Sequence, residues 1–343
     1  MRNAVRAYRN TTKGLHRHTA VQAFRIYTLA AMLAVQSAAA AAQQLAADWL
    51  TAPPQADSSA CLWLRRSFVM PGRPKRATIH MATDSRAVLY VNGRNVSAAL
   101  FMPCRESGDS RTVAVDIDIT RFMRPDTNTV ALLVCPAERS HAHAEGATSF
   151  AAPRALVDFY GTTAGGRRFA YGGADGWMCR QAGTRLTDTG ELMDGGCTGV
   201  PPQGADMEMP QWLPAAAAEP PEGAAAYVWL AAESIYGYSH RVNIIADRFA
   251  YVQRILQPRY FDISGNTVTY DFAPGFHGTV RVTLRGCRPG ERIRIGNLMY
   301  TCSGDTDEQA FCRFTPQYAR KLTVSGDRHF TPEQVQEVEA VCF

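Results

Sequence analysis

The chain has no acidic residue in its first 42 positions and no cysteine before Cys61. Beyond that opening it never reaches about 18 consecutive apolar residues, so no membrane-spanning helix is expected there. Residues 1–42 carry Arg2, Arg6, Arg9, Lys13, Arg17 and Arg25, then the apolar run Ile26 to Val35, then Ser37 and alanines ending at Ala42. A basic stretch, an apolar stretch and small residues in that order predict a secretory signal peptide, hence an exported, periplasmic or secreted protein. With no cysteine near the expected cleavage site, the usual acceptor for a lipid anchor is missing. Removing six cations from 36 leaves 30 against 31 acids, a net charge of −1. The formal +5 of the whole chain is therefore no argument for nucleic acid or an anionic membrane as partner. Also absent are a Cys-x-x-Cys pair, a Cys/His zinc spacing, a Gly-x-Ser-x-Gly nucleophile elbow and any internal repeat, so no cofactor is expected.

Cysteine is not scarce past residue 60, where nine occur: Cys61, Cys104, Cys135, Cys179, Cys197, Cys287, Cys302, Cys312 and Cys342. An odd number leaves one thiol unpaired. Export permits disulfides, and Cys302 and Cys312 bracket a polar turn that would bring them together. The apolar setting of Leu132-Leu133-Val134-Cys135 reads instead as a cysteine buried as a small hydrophobe.

Short strands separated by turn residues dominate from about residue 48 to 200. Ala60–Val69, Ala77–Ala82, Ala87–Val91 and Thr129–Val134 are four of them, and Asn92-Gly93 is a hairpin turn because both residues tolerate positive φ. In Arg111–Ile119 the apolar Val113, Val115 and Ile117 alternate with polar residues; Asp116 is expected to face solvent and Asp118 to cap the turn at Arg121-Phe122-Met123. Between Pro201 and Gly223 proline and alanine take over, which predicts a linker or extended crossover. Strands resume from about 225. Val280, Val282 and Leu284 alternate with Thr279, Arg281, Thr283 and Arg285, and Arg292-Ile293-Arg294-Ile295 repeats the pattern after Pro289-Gly290, which predicts a hairpin between them. Thr331-Pro332-Glu333-Gln334 is expected to cap one helical turn before 337–342 closes the sheet.

These landmarks resemble the front half of the bacterial α-L-rhamnosidases. Tyr90-Val91-Asn92-Gly93 is similar to the family's aromatic-Val-Asn-Gly hairpin, Asp118-Ile119-Thr120 to its Asp-Val-Thr turn, Asn128 to its Gly-x-Asn strand entry without the glycine, and Asp175-Gly176-Trp177 to its Asp/Trp strand. Further on, Tyr270-Asp271-Phe272 and Gly278 match a Tyr-Asp-Phe-Gly-x-Asn-x-x-Gly motif from which Ala273 and Gly275 depart. Asn297-Leu298-Met299-Tyr300 and Arg313-Phe314-Thr315 resemble two later strands. The resemblance spans residues 45–343 and implies an all-β protein of two β-sandwich domains after a signal peptide. The first, at 43–205, would be a galactose-binding-like jelly roll, the second, at 225–343, concanavalin-like, with a linker at 206–224. In the family a following (α/α)6 barrel supplies the general acid and base. No residue of this chain matches them, so the resemblance implies a non-catalytic relative that binds a polysaccharide or oligosaccharide containing rhamnose or is accessory to a glycan-degrading enzyme. A truncated or split hydrolase that takes its barrel from another chain, and a scaffold without ligand, are the alternatives.

Candidate binding residues follow from chemistry. Sugar recognition uses exposed aromatic faces flanked by groups that reach hydroxyls; Trp212, beside the linker, with Tyr236, Tyr238 and Arg241, is the expected set, while Trp63 and Tyr90 sit in apolar strands and read as core. His141, His143 and Glu145 alternate, so an extended chain would aim all three one way, as a metal site requires. Gly304, Asp305, Asp307 and Glu308 lack the distal glutamate of a calcium loop and read as a solvated turn. Asp116 and Asp118 share a strand face but read as local structure rather than a catalytic acid pair.

Overall fold

The computed structural model describes residues 48–54, 56–97, 113–139, 149–197, 213–218 and 251–343. They fall within one compact unit, Ala47–Phe343. Among them there is no α-helix, and no helix long and apolar enough to cross a membrane. The all-β, sandwich-type fold expected from the alternation is what the chain adopts.

In the front sandwich one sheet runs in the order Ala216–Ala218, Trp49–Thr51, Ala155–Thr162, Arg76–Thr83, Val113–Asp118. Facing it are Met178–Thr187, Ala60–Val69, Thr127–Val134 and Ala87–Val91. Residues of both sheets meet in one core: Ile79, Met81, Val157 and Phe159 from the first, Leu62, Leu64, Leu89 and Leu132 from the second. A fully buried side chain of this size stabilises by roughly 1.5–3 kcal/mol, so the two inner faces carry most of the stability of the sandwich. The unbroken apolar run Cys61-Leu62-Trp63-Leu64 has a simple cause. Leu62 and Leu64 point into that core, while Cys61 and Trp63 point the other way into a second cluster with Val88, Tyr90, Leu133 and Phe314. A strand buried on both faces does not alternate.

Phe314 comes from the rear half, so this second cluster joins the halves. Gly190–Asp194 also runs parallel to Leu298–Thr301, which carries one sheet from front to rear. At Gly190 a Cβ would lie 1.8 Å from the Asn297 carbonyl oxygen, so only glycine permits the approach. Within the stretch read as a linker or extended crossover, the described Leu213–Pro214 and Ala216–Ala218 are short strands on Met178–Thr187 and Trp49–Thr51.

In the rear sandwich the 19-residue strand Thr267–Arg285 serves both sheets. Its first part pairs with Tyr260–Ser264 and Gln317–Gly326, its last with Val335–Cys342 and Asp307–Phe311. Gln317–Gly326 stays paired across a register shift between Asp271 and Phe276, which takes in Gly275 at φ 124°, and the partner changes to Val335–Cys342 at Gly278. Bulges of this kind let a strand turn the corner between packed sheets. That corner overturns the expected hairpin between 279–285 and 292–295. Arg292–Ile295 pairs instead with Leu298–Thr301 and Gln317–Gly326, because Pro289-Gly290 hands the chain across the sandwich rather than back along the same sheet. The turn at Pro332–Gln334 forms as expected, with Thr331 N–H donating to Gln334 Oε1 at 2.8 Å, and Val335–Cys342 closes the sheet.

Candidate functional site

Among the described residues Tyr260–Ser264 is paired along one edge only, and all five of its residues are exposed. Alternation therefore gives it two working faces. On one, Phe261 lies opposite Tyr270 and Ile263 opposite Val268. Phe261 is 61% exposed, and its ring centroid is 5.9 Å from that of the largely buried Tyr270, at 42°. Beneath them opens a groove of about 770 Å³ whose floor is Val268, Tyr270, Val335 and Val338 and whose rim includes Gln257, Arg285 and Glu337. Gln257 Nε2 donates to Glu337 Oε1 at 3.4 Å, and Arg285 Nε to Asp307 Oδ1 at 2.6 Å. An apolar wall with an exposed ring, edged by amide, carboxylate and guanidinium, can hold a flat apolar face while hydrogen-bonding its substituents.

The other face of the same strand is polar. Asp271 is buried and accepts hydrogen bonds from Tyr260 Oη at 2.6 Å, Ala273 N at 2.8 Å and Arg320 Nε at 3.4 Å. Chiefly the Tyr260 hydroxyl, with the Ala273 amide and Arg320, holds the Asp271 carboxyl below its ordinary value, and the same bond pushes Tyr260 up. A carboxylate depressed in the folded state stabilises above its unfolded pKa, about 3.9, and that contribution disappears as pH falls through the folded value. Asp271→Asn is thus expected to lower the urea midpoint at pH 6 and to lose less than wild type between pH 4 and pH 2. Parallel acid limbs for the two proteins would remove Asp271 as a determinant.

The seven residues proposed from the sequence, Trp212, Tyr236, Tyr238 and Arg241 for sugar and His141, His143 and Glu145 for metal, lie outside the described residues. Three other readings are corrected. Asp116 does not face solvent: its Oδ1 pairs with Nδ1 of His80, which is only 3% exposed, because the registers place the two directly opposite on neighbouring strands. Tyr160 on the next strand feels the same carboxylate, and burial first, then Asp116, pushes its hydroxyl up to about 12. Asp118 is not the cap of the turn Thr120–Phe122, whose N-cap is Ile119; its Oδ1 instead makes a local turn two residues on, accepting from Thr120 N at 2.8 Å and Thr120 Oγ1 at 2.6 Å. Glu308 is not part of a solvated turn either. It is buried and accepts from Tyr300 Oη, Ser303 N and Gly304 N at 2.7–2.9 Å, while Gly304, Asp305 and Asp307 are exposed as expected.

Neither a family model nor a curated protein sequence matches the chain. Solved structures do. An α-L-rhamnosidase from Dictyoglumus thermophilum superposes with a TM-score of 0.67 at 17% identity, over 88% of this chain and 36% of that one. For the α-L-rhamnosidase of Aspergillus terreus the values are 0.69, 14%, 87% and 36%. For that of Streptomyces avermitilis, complexed with L-rhamnose, they are 0.65, 18%, 83% and 28%. The fold is rhamnosidase-like. The chain spans about a third of the length of each of these enzymes.

Several of the rhamnosidase-like landmarks of the sequence are joints of the fold. Trp177 is fully buried in the front core and Trp63 and Tyr90 fill the cluster between the halves, as their apolar strands implied. Arg313-Phe314-Thr315 wraps a buried carboxylate from the front half: Glu191 accepts from Phe314 N, Thr315 N, Thr315 Oγ1 and Arg313 N at 2.5–3.1 Å. Sequence reasoning missed both Glu191 and the groove. Glu191 stands in a short strand without a neighbour of opposite charge, and Phe261 in a strand whose two exposed faces leave no alternation to read.

Proposed function

We propose that this is an exported, non-catalytic, rhamnosidase-like protein that binds polysaccharide or oligosaccharide containing rhamnose, through the groove under Phe261. The observation that carries the reading is the groove itself, an exposed ring over an apolar floor with Gln257, Arg285 and Glu337 at its edge. A deoxyhexose presents a methyl and C–H face to a ring and hydroxyls to the rim, and that complementarity is what the lining offers. The rhamnosidase-like fold supports the sugar class; the leader at 1–42 supports export; a glycan-degrading enzyme is the expected partner. The likeness of fold to α-L-rhamnosidases also supports a second reading, in which this part works as one piece of a hydrolase.

Both readings meet one experiment. The chain is run by affinity electrophoresis through rhamnogalacturonan and unrelated polysaccharide gels, with p-nitrophenyl rhamnoside turnover measured alongside. Retardation without turnover is expected, and Phe261→Ala should weaken it about tenfold, the loss of one stacked aromatic at roughly 0.5–1.5 kcal/mol with its buried area. Retardation unchanged in Phe261→Ala would move the site elsewhere; no retardation by any polysaccharide would leave the scaffold reading.

A further inference from the structure

Two pairs of thiols are brought side by side by the fold. Leu62 lies opposite Val134 in the front sheet, so one further step sets Cys61 opposite Cys135. Both are buried in the cluster with Trp63 and Tyr90. Opposed residues of antiparallel strands have Cα atoms about 4.5–5.5 Å apart, inside the roughly 4.4–6.8 Å that a disulfide needs. In the rear half, Cys287 Sγ, Cys302 Sγ and a Glu308 carboxylate oxygen all lie within 4.8 Å of one another. The backbone there is fixed by Gly290 N–H donating to Cys302 O at 2.9 Å and Cys302 N–H donating to Glu291 O at 2.8 Å. Cys302 therefore faces Cys287, and the Cys312 thiol turns away to Glu191 and Thr315.

We propose that Cys61–Cys135 and Cys287–Cys302 are two disulfide sites, each closed by exchange with a small-molecule disulfide such as oxidised glutathione. One protein thiolate attacks a glutathione sulfur and expels the first glutathione thiolate. The partner cysteine then attacks the resulting mixed disulfide and expels the second. Per pair, two protein S–H bonds are lost, one S–S bond forms, and the two electrons and two protons leave on two molecules of reduced glutathione. The inference rests on the export read from residues 1–42 and is independent of whether the groove binds sugar.

A metal ion is the competing occupant of the rear pair, and Glu308 argues against it. Both of its oxygens are already taken by Tyr300, Ser303 and Gly304, which leaves two thiols where a structural zinc takes four ligands. Burial pushes the Cys61 thiol well up, and the neighbouring Cys287 followed by burial does the same for Cys302. Attack by a thiolate is thus slow in the closed structure, and the bonds are expected to form as the chain folds.

The test is made on the full chain, refolded in a buffer of oxidised and reduced glutathione, denatured, alkylated and mapped without reduction. Of the nine cysteines, four should escape alkylation, in the linked peptides 61–135 and 287–302. Cys287→Ser with Cys302→Ser should lower the thermal midpoint by roughly 6–12 °C in the oxidised protein only, from a loop of about 15 residues. A map with both pairs alkylated, or one with Cys302 joined to Cys312, overturns the proposal. Stoichiometric zinc, with Cys287 and Cys302 alkylated only after chelation, overturns it for the rear pair.

Discussion

Replacing Glu191 by alanine is expected to cost roughly 3–5 kcal/mol of stability, the range for removing one partner of a buried, charge-assisted network. The side chain is 1% exposed and holds four donors from Arg313, Phe314 and Thr315. Alanine leaves three backbone N–H groups buried with no acceptor, at the point where Phe314 enters the cluster of the front half. Glu191→Gln separates charge from shape. Its carbonyl can still serve Phe314 and Thr315, but its NH₂ would meet the Arg313 N–H, so a loss of about 1–2 kcal/mol is expected. Urea unfolding followed by tryptophan fluorescence reads both. A Glu191→Ala loss below about 1 kcal/mol would mean that Phe314 and the parallel pairing of Gly190–Asp194 with Leu298–Thr301 suffice to hold the halves together.

The same residues explain how much of this protein its sequence discloses. Strands packed on one face announce themselves: Val280, Val282 and Leu284 are buried and Arg281 and Thr283 are not, as their alternation requires. Stretches buried on both faces, such as residues 60–64, are still visible as apolar runs, although nothing in the run says that two different cores share it. Partner choice is where the reading fails, since Thr267–Arg285 exchanges Gln317–Gly326 for Val335–Cys342 at Gly278 and periodicity carries no record of which neighbour a strand meets. The groove was illegible for a related reason. Phe261 and Gln257 are near in sequence, but the floor residues Val335 and Val338 come from the last strand, and only folding brings them under the ring. Polar residues mislead most: Asp116 and Glu308 look like solvated acids and are both taken inward by partners more than five residues away or by neighbouring amides.

Asn128 shows the reverse case, a landmark whose identity is dictated entirely by its hydrogen bonds. It is fully buried at the entry to Thr127–Val134, and its Oδ1 accepts from Arg124 N at 2.7 Å and Asn92 Nδ2 at 2.9 Å. Its Nδ2 donates to the carbonyls of Arg124 and Asp126, both at 3.1 Å. Asn92, held at φ 52°, passes the network on, donating to Phe122 O and accepting from Thr129 N at 2.9 Å each. One amide thus fixes the turn 120–126, the strand entry and the Asn92-Gly93 hairpin, which is why an asparagine is needed at each end of the bond. Asn128→Ala is expected to destabilise by roughly 2–4 kcal/mol, the penalty for a buried amide N–H and an amide side chain left without partners. Asn128→Asp keeps the shape and should do no better, because a carboxylate oxygen replaces the donor and faces the Arg124 and Asp126 carbonyls. Hydrogen exchange locates the effect: in both variants the Arg124 and Thr129 amides should lose protection before the Ile79 and Phe159 core strands do. If Asn128→Asp were as stable as wild type at pH 7, the donor half of this arrangement would be dispensable and the landmark would need another explanation.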